Sequence, residues 1–151
     1  MGTIVVGVDG SETAVQALRF AIAEAWIRGD DVRAVSAWHV PPTVYGSGLV
    51  PPTVDPSAYE KLARSALDDS LEAAAAAESG VAVTPVVSRG KPAHVLCAEA
   101  EDADLLILGS RGLGGFRGLL LGSTGQQCTH HASCPVVIVP KEPGSAESAA
   151  A

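Results

Sequence analysis

Aromatic side chains are scarce in this chain: Phe, Trp and Tyr together make up 4% of it, two residues of each. A core built without them must come from branched aliphatics and alanine, and hydrophobic residues at 47% of 151 supply enough for one domain. Cysteine is scarce too. Cys97, Cys128 and Cys134 are odd in number and form no disulfide framework, which predicts a reducing, cytoplasmic setting. Positive charge is in deficit, with ten Lys and Arg against seventeen Asp and Glu and a formal charge of -7. Nucleic acids and anionic membranes both reward basic surface, so neither is an expected partner. No apolar run reaches bilayer-spanning length, and Met1-Gly-Thr-Ile-Val-Val-Gly-Val-Asp-Gly10 lacks the basic start and the length of a secretory leader. Val6 stands where myristoylation of Gly2 would need Ser or Thr. A soluble, internal protein is expected.

Glycine, by contrast, is concentrated in one place. Six of the fourteen residues from Gly109 to Gly122 are glycine. The run Leu105-Leu-Ile-Leu108, too short for a helix, leads into this stretch, and Gly122-Ser123-Thr124 leaves it with a polar helix start. Strand, glycine loop and helix N-terminus together hold phosphate: glycines let backbone N–H groups turn toward an anion, and the helix end adds unpaired donors. A loop that only turns a corner has no need of so many glycines. A Walker loop is excluded because the stretch has no lysine. A dinucleotide fingerprint is excluded because glycines at offsets 0 and 2 from Gly112 are followed by Arg117 at offset 5, and after the fourth strand rather than the first.

Taken in order, residues 3–8 form an apolar strand. Val15, Leu18, Ile22 and Ala25 then recur on one helical face until Gly29, and residues 31–38 form a second strand. A short return loop between such strands implies a parallel pair. Residues 39–55 hold four prolines and repeat Val-Pro-Pro-Thr-Val, which reads as a long loop on the ligand side of the sheet, with the character of a lid or insertion. Asp55-Pro56 opens a helix that runs through Leu62, Ala66, Leu71 and the alanine tract to Gly80. A strand over 81–87, a helix from Pro92 to about Asp102, a strand over 105–108, a helix over 124–132 and a strand over 135–139 follow. Short apolar strands alternating with helices predict an α/β fold, an open five-stranded parallel sheet with helices on both faces. One domain over 1–141 and a disordered tail over 142–151 are expected.

The stretch fits Gly109-x2-Gly112-x9-Gly122-Ser123, and this spacing resembles the ATP-binding signature of the universal stress protein family. Ile4-Val-Val-Gly-Val-Asp-Gly-Ser11, Ala103-Asp-Leu-Leu-Ile-Leu-Gly-Ser-Arg-Gly112 and His131-Ala-Ser-Cys-Pro-Val-Val-Ile-Val139 look like that family too, in order along the chain. The resemblance implies an adenine-nucleotide α-hydrolase-like, Rossmann-like three-layer sandwich. It implies ATP as ligand, with Asp9 at the ribose and metal end (Mg2+ bound through the nucleotide), and with Gly7, Val8 and Ser11 beside it. It also implies that adenine is held by backbone groups near Ala37, and that dimers form through Pro135 to Val139.

The residues support roles of their own. Gly109 lets the backbone leave its strand close to a ribose or phosphate, and Gly112, Gly114 and Gly115 permit positive φ. The N–H groups and hydroxyls of Gly122, Ser123 and Thr124 can meet phosphates, with Ser123-x-x-Gln126 as a capping box and Ser110 and Arg111 on the rim. Asp9 reads equally as a helix N-cap paired with Glu12 and as a ligand contact. Cys128-Thr-His-His-Ala-Ser-Cys134 lacks the knuckle spacing of a zinc site, so no protein-held metal is expected. No nucleophile elbow is present, and His39, His94, His130 and His131 stand in no relation to a nucleophile. An ATP-binding regulatory protein, dimeric through an apolar last strand left at a sheet edge, is the favoured reading. The alternative is a slow Mg2+-dependent ATP hydrolase or phosphotransferase working through Asp9. Whether the nucleotide is ATP, ADP or AMP stays open.

Overall fold

Ile4, Val5 and Val6 are consecutive and fully buried, which a strand achieves only when both faces of its sheet are covered. In the computed structural model, which describes residues 1–40, 55–110 and 121–141, they form the centre of β1 (Thr3–Gly7). The other elements are α1 (Glu12–Arg28), β2 (Asp31–Trp38), α2 (Ser57–Ala73), a 3₁₀ turn (Ala76–Glu78), β3 (Val83–Arg89), α3 (Pro92–Glu99), β4 (Leu105–Gly109), α4 (Ser123–His131) and β5 (Val136–Val139). Every ladder is parallel and the strand order is β3-β2-β1-β4-β5. The predicted five-stranded parallel sheet is therefore observed, with β5 at one edge.

Strand side chains alternate between two cores. Ile4, Val6, Leu105 and Ile107 pack with Ala14, Ala17, Leu18, Ala21, Ile22 and Ala25 of α1 and Leu67 of α2. Val5, Val35, Leu106 and Leu108 pack on the other face with Ala93, Val95 and Leu96 of α3 and Cys128 of α4. The result is three layers, helix, sheet, helix. The α1 stripe is centred differently from the predicted one, since Val15 is only half-buried and Ala14 and Ala21 take its share. Gly29 ends α1 at φ 73, a left-handed turn that glycine makes without strain.

Three elements differ from expectation by more than one residue at an end. The alanine tract does not extend α2 to Gly80: the helix stops at Ala73, and Ala75 turns left-handed at φ 52. Arg19 of α1 donates to the Ala73 carbonyl at 3.0 Å and so satisfies a terminal acceptor that propensity alone would have carried onward. In the same way α3 ends at Glu99, short of Asp102, where Arg33 of β2 donates to the Glu99 carbonyl at 2.8 Å. β3 runs over 83–89 rather than 81–87, because its register with β2 extends from Val32↔Val83 to Trp38↔Arg89. Pro85 fits there because β3 is the other edge of the sheet. The Ala82 carbonyl and the Gly90 N–H both turn toward β2, so by the two-residue period the Pro85 nitrogen, which has no hydrogen, faces outward. At the start of α2, Asp55 accepts the Ser57 N–H at 3.0 Å and the Ser57 hydroxyl at 2.7 Å, which hold its carboxyl below the usual range. The expected loop over 39–55 lies outside the described residues except at its ends, as does the 142–151 tail.

Burial, with Cys97 alongside, pushes the Cys128 thiol from 9.0 up to about 12. The folded state therefore keeps a proton that the unfolded state releases between about pH 9 and 12, and stability should fall as pH rises across that window. Urea unfolding at stepped pH checks this. Cys128→Ala, weaker at neutral pH by about 1–2 kcal/mol from lost packing, should lack that part of the decline.

Candidate functional site

The chain leaves β1 on one side for β2 and β3 and returns on the other for β4 and β5, so the strand order reverses between β1 and β4. In parallel sheets the crevice outside the strand ends at such a point receives ligands. A cavity of about 780 Å³ lies there. Its walls include Gly7, Val8, Asp9 and Ser11 after β1, Ala37 at the end of β2, Gly109 and Ser110 after β4, and Gly122, Ser123 and Thr124 at α4. Each predicted site residue within the described residues thus lines one cavity. Arg111, Gly112, Gly114 and Gly115 lie outside the described residues.

The β4 end is built tightly. Ser110 is buried at 8% exposure and donates its N–H to the Val139 carbonyl at 2.9 Å, while its own carbonyl accepts the Gly122 N–H at 2.8 Å. That second bond ties together the two ends of the glycine stretch. Gly109 has a reason beyond the ligand: a Cβ there would stand 2.9 Å from the Thr13 carbonyl oxygen, so the first turn of α1 requires its absence. α4 starts at Ser123, and neither Ser123 nor Thr124 caps it. The N-cap is Gly122, with extended backbone and no side-chain bond. The expected capping box is not formed, because Gln126 instead donates to the Leu121 carbonyl at 3.4 Å. Among the described residues no side chain accepts from the opening N–H groups of α4, which lie at the cavity wall and carry the partial positive charge of a helix start.

At the β1 end the cap is Ser11, not Asp9. The Ser11 Oγ accepts the Ala14 N–H at 3.2 Å, and Asp9 Oδ1 in turn accepts the Ser11 N–H at 3.0 Å and the Ser11 hydroxyl. Asp9, relieved of capping, is an exposed carboxylate on the cavity wall whose orientation Ser11 sets. At β2 the Val35 carbonyl receives the Val8 N–H at 2.8 Å. Two residues on, Ala37 turns its N–H and C=O to the same side, beyond the last β1–β2 ladder pair Gly7↔Val35, and so toward the crevice.

Sequence reading missed the α2 wall. Leu62 and Ala66 are expected along this helix with no site role, yet α2 buries only Leu67 and Ser70, and Leu62, 68% exposed, lines the cavity with Ala63 and Ala66. α2 packs on β2 and α1 through its second half, where Leu67 and Leu71 meet the core. Its four-residue spacing from Leu62 to Ala66 was visible but carried no sign of which neighbour it meets. Pro92 and Leu96 of α3 close the opposite side. Asp9 is the one carboxylate among the described lining residues, and no histidine is among them. Among the described residues no three His, Cys, Asp or Glu side chains converge as a metal site would need.

The model of the universal stress protein family matches residues 1–140. The chain belongs to that family. A universal stress protein of Mycobacterium tuberculosis is 35% identical over 135 residues, which is 89% of this chain and 44% of that protein, so the chain spans less than half the relative's length. A solved universal stress protein in complex with cAMP is 26% identical at a TM-score of 0.64, covering 91% of this chain and 95% of its own. The universal stress protein from Archaeoglobus fulgidus in complex with dAMP is 26% identical at a TM-score of 0.54, covering 91% of this chain and 97% of its own. The three-layer α/β architecture is thus a family property.

Gly109→Ala should destabilise the fold by about 1–3 kcal/mol, because its methyl group meets backbone rather than a movable side chain. Urea unfolding would show a lower midpoint at unchanged slope. A wild-type midpoint would mean that the first turn of α1 gives way freely.

Proposed function

We propose that this member of the universal stress protein family is an ATP-binding regulatory protein whose nucleotide occupies the cavity between β1 and β4. The observation that carries the reading is the bond from the Gly122 N–H to the Ser110 carbonyl, which closes Gly109-x2-Gly112-x9-Gly122-Ser123 into one loop beside an uncapped helix start. Glycine backbone and free N–H groups suit phosphate oxygens, which the overall charge of -7 would otherwise repel. Arg111, Gly112, Gly114 and Gly115 belong to the same loop by sequence. Asp9 serves the ribose and a nucleotide-bound Mg2+, and Ala37 offers a backbone donor and acceptor to the edge of the base. The family relatives bound to cAMP and dAMP support an adenine nucleotide as the ligand class.

Binding is favoured over turnover. Efficient hydrolysis needs a base that orients water, and Asp9, already accepting from Ser11, is the one described carboxylate on the wall. The second reading is slow Mg2+-dependent hydrolysis or phosphotransfer through Asp9. Equilibrium dialysis with ATP should show saturable binding that Gly112→Val and Gly122→Val each abolish, and unchanged binding in both would sink the proposal. Hydrolysis lost in Asp9→Ala with binding retained would promote the enzymatic reading.

The homodimer belongs to the same proposal. Of the two sheet edges, β3 presents Pro85 outward, whereas β5 is Val136-Val-Ile-Val139, half-buried and without proline or charge. Backbone groups on such an edge pair readily with a second copy. Light scattering at micromolar concentration should give twice the 15.3 kDa chain mass, and a monomer would count against the pairing.

A further inference from the structure

The cavity has two chemically different ends. Around Gly109, Ser110, Gly122, Ser123 and Thr124 the lining is mostly backbone and small polar groups, with Leu108 and Leu121 beside them. The walls supplied by the two helices are aliphatic: Leu62, Ala63 and Ala66 of α2, where Ala66 lies against Gly10 after β1, and Pro92 and Leu96 of α3, where Leu96 lies against Gly7. The two helices pack on opposite faces of the sheet, so their side chains form two sides of a slot over the ends of β1 and β2.

Leu62 is the unusual member. It lines the cavity yet is 68% exposed, while α2 takes its core anchorage from Leu67 further along. A single exposed leucine needs no explanation. Here, however, it stands at the same slot as Ala63 and Ala66, and the polar end of the same cavity already suits a phosphate. A ligand carrying an anionic group at one end and a flat, largely apolar ring at the other would cover it.

We propose that Leu62, backed by Ala63 and Ala66, is the side chain on which the base of the bound nucleotide packs. This rests on the nucleotide reading and deepens it by assigning the base contact to α2. Leu62, Ala63, Ala66, Pro92 and Leu96 have no hydrogen-bonding side-chain group, so their contribution is removal of apolar surface from water, while the backbone of Ala37 supplies direction. Contact at the base affects every ligand that carries the base equally, whatever its number of phosphates.

The test is calorimetric titration of AMP and of ATP with Mg2+ into the wild type, Leu62→Ala, Leu62→Asn and Leu62→Phe, with thermal melts of each unliganded protein. Leu62→Ala should weaken AMP and ATP by the same factor, about five- to tenfold, with Leu62→Asn at least as weak and Leu62→Phe close to wild type. Melting temperatures should not move, because the side chain is exposed. Unchanged affinities in Leu62→Ala overturn the assignment, as does weakening of ATP alone, which would place Leu62 at the phosphate end. A fall in melting temperature that tracks the loss of affinity also overturns it, by making Leu62 a packing residue. If the wild type binds ATP in a Gly122-dependent way and only the Leu62 variants fail to respond, this inference falls alone. If the wild type binds neither nucleotide, the nucleotide reading falls with it.

Discussion

With Ile4, Val5 and Val6 shut off from water on both faces, β1 must have a strand at each side and a helix layer above and below. Short connections then leave little choice. The chain builds outward through β2 and β3, returns across the centre, and builds outward again through β4 and β5. The crevice between the ends of β1 and β4 is a by-product of that return. Its shape is enforced by the same apolar residues that hold the sheet, which is how a chain with few aromatics and an unfavourable net charge can present the crevice proposed to take the nucleotide.

Within the site, much of the order comes from backbone bonds rather than charged side chains. Ser110 bonds to both Val139 and Gly122, so β5 and α4 are fixed to the residue that follows β4. Ser11 both caps α1 and holds Asp9. The Arg33 ion pairs with Glu99 and Asp102 lie elsewhere, where they close a helix end.

Strands, their parallel arrangement and the wall residues at β1 and β4 were legible because each is written locally: an apolar run for a doubly buried strand, a glycine or hydroxyl residue where the chain leaves it. What was not legible depended on partners distant in sequence. The alanine tract has every local reason to stay helical, yet the helix ends at Ala73, where Arg19, 54 residues away, donates to the carbonyl. α3 stops where Arg33, 66 residues away, does the same. The exchange of roles between Asp9 and Ser11 turns on which of two good capping residues accepts the Ala14 N–H. The place of Leu62 on the cavity wall was not legible because a helix's apolar spacing states that a face meets something, not whether that something is protein.

Pro85 has a consequence for how many chains can join. A sheet with two open edges can add copies at both and grow into a fibre, whereas the outward donor that Pro85 removes makes β3 a poorer edge for pairing than β5. Joining β5 to β5 uses up the open edge of both partners at once, so association by this route is closed after a single step. In the dimer proposed above, Pro85 thus weakens the one edge that β5–β5 pairing would leave open.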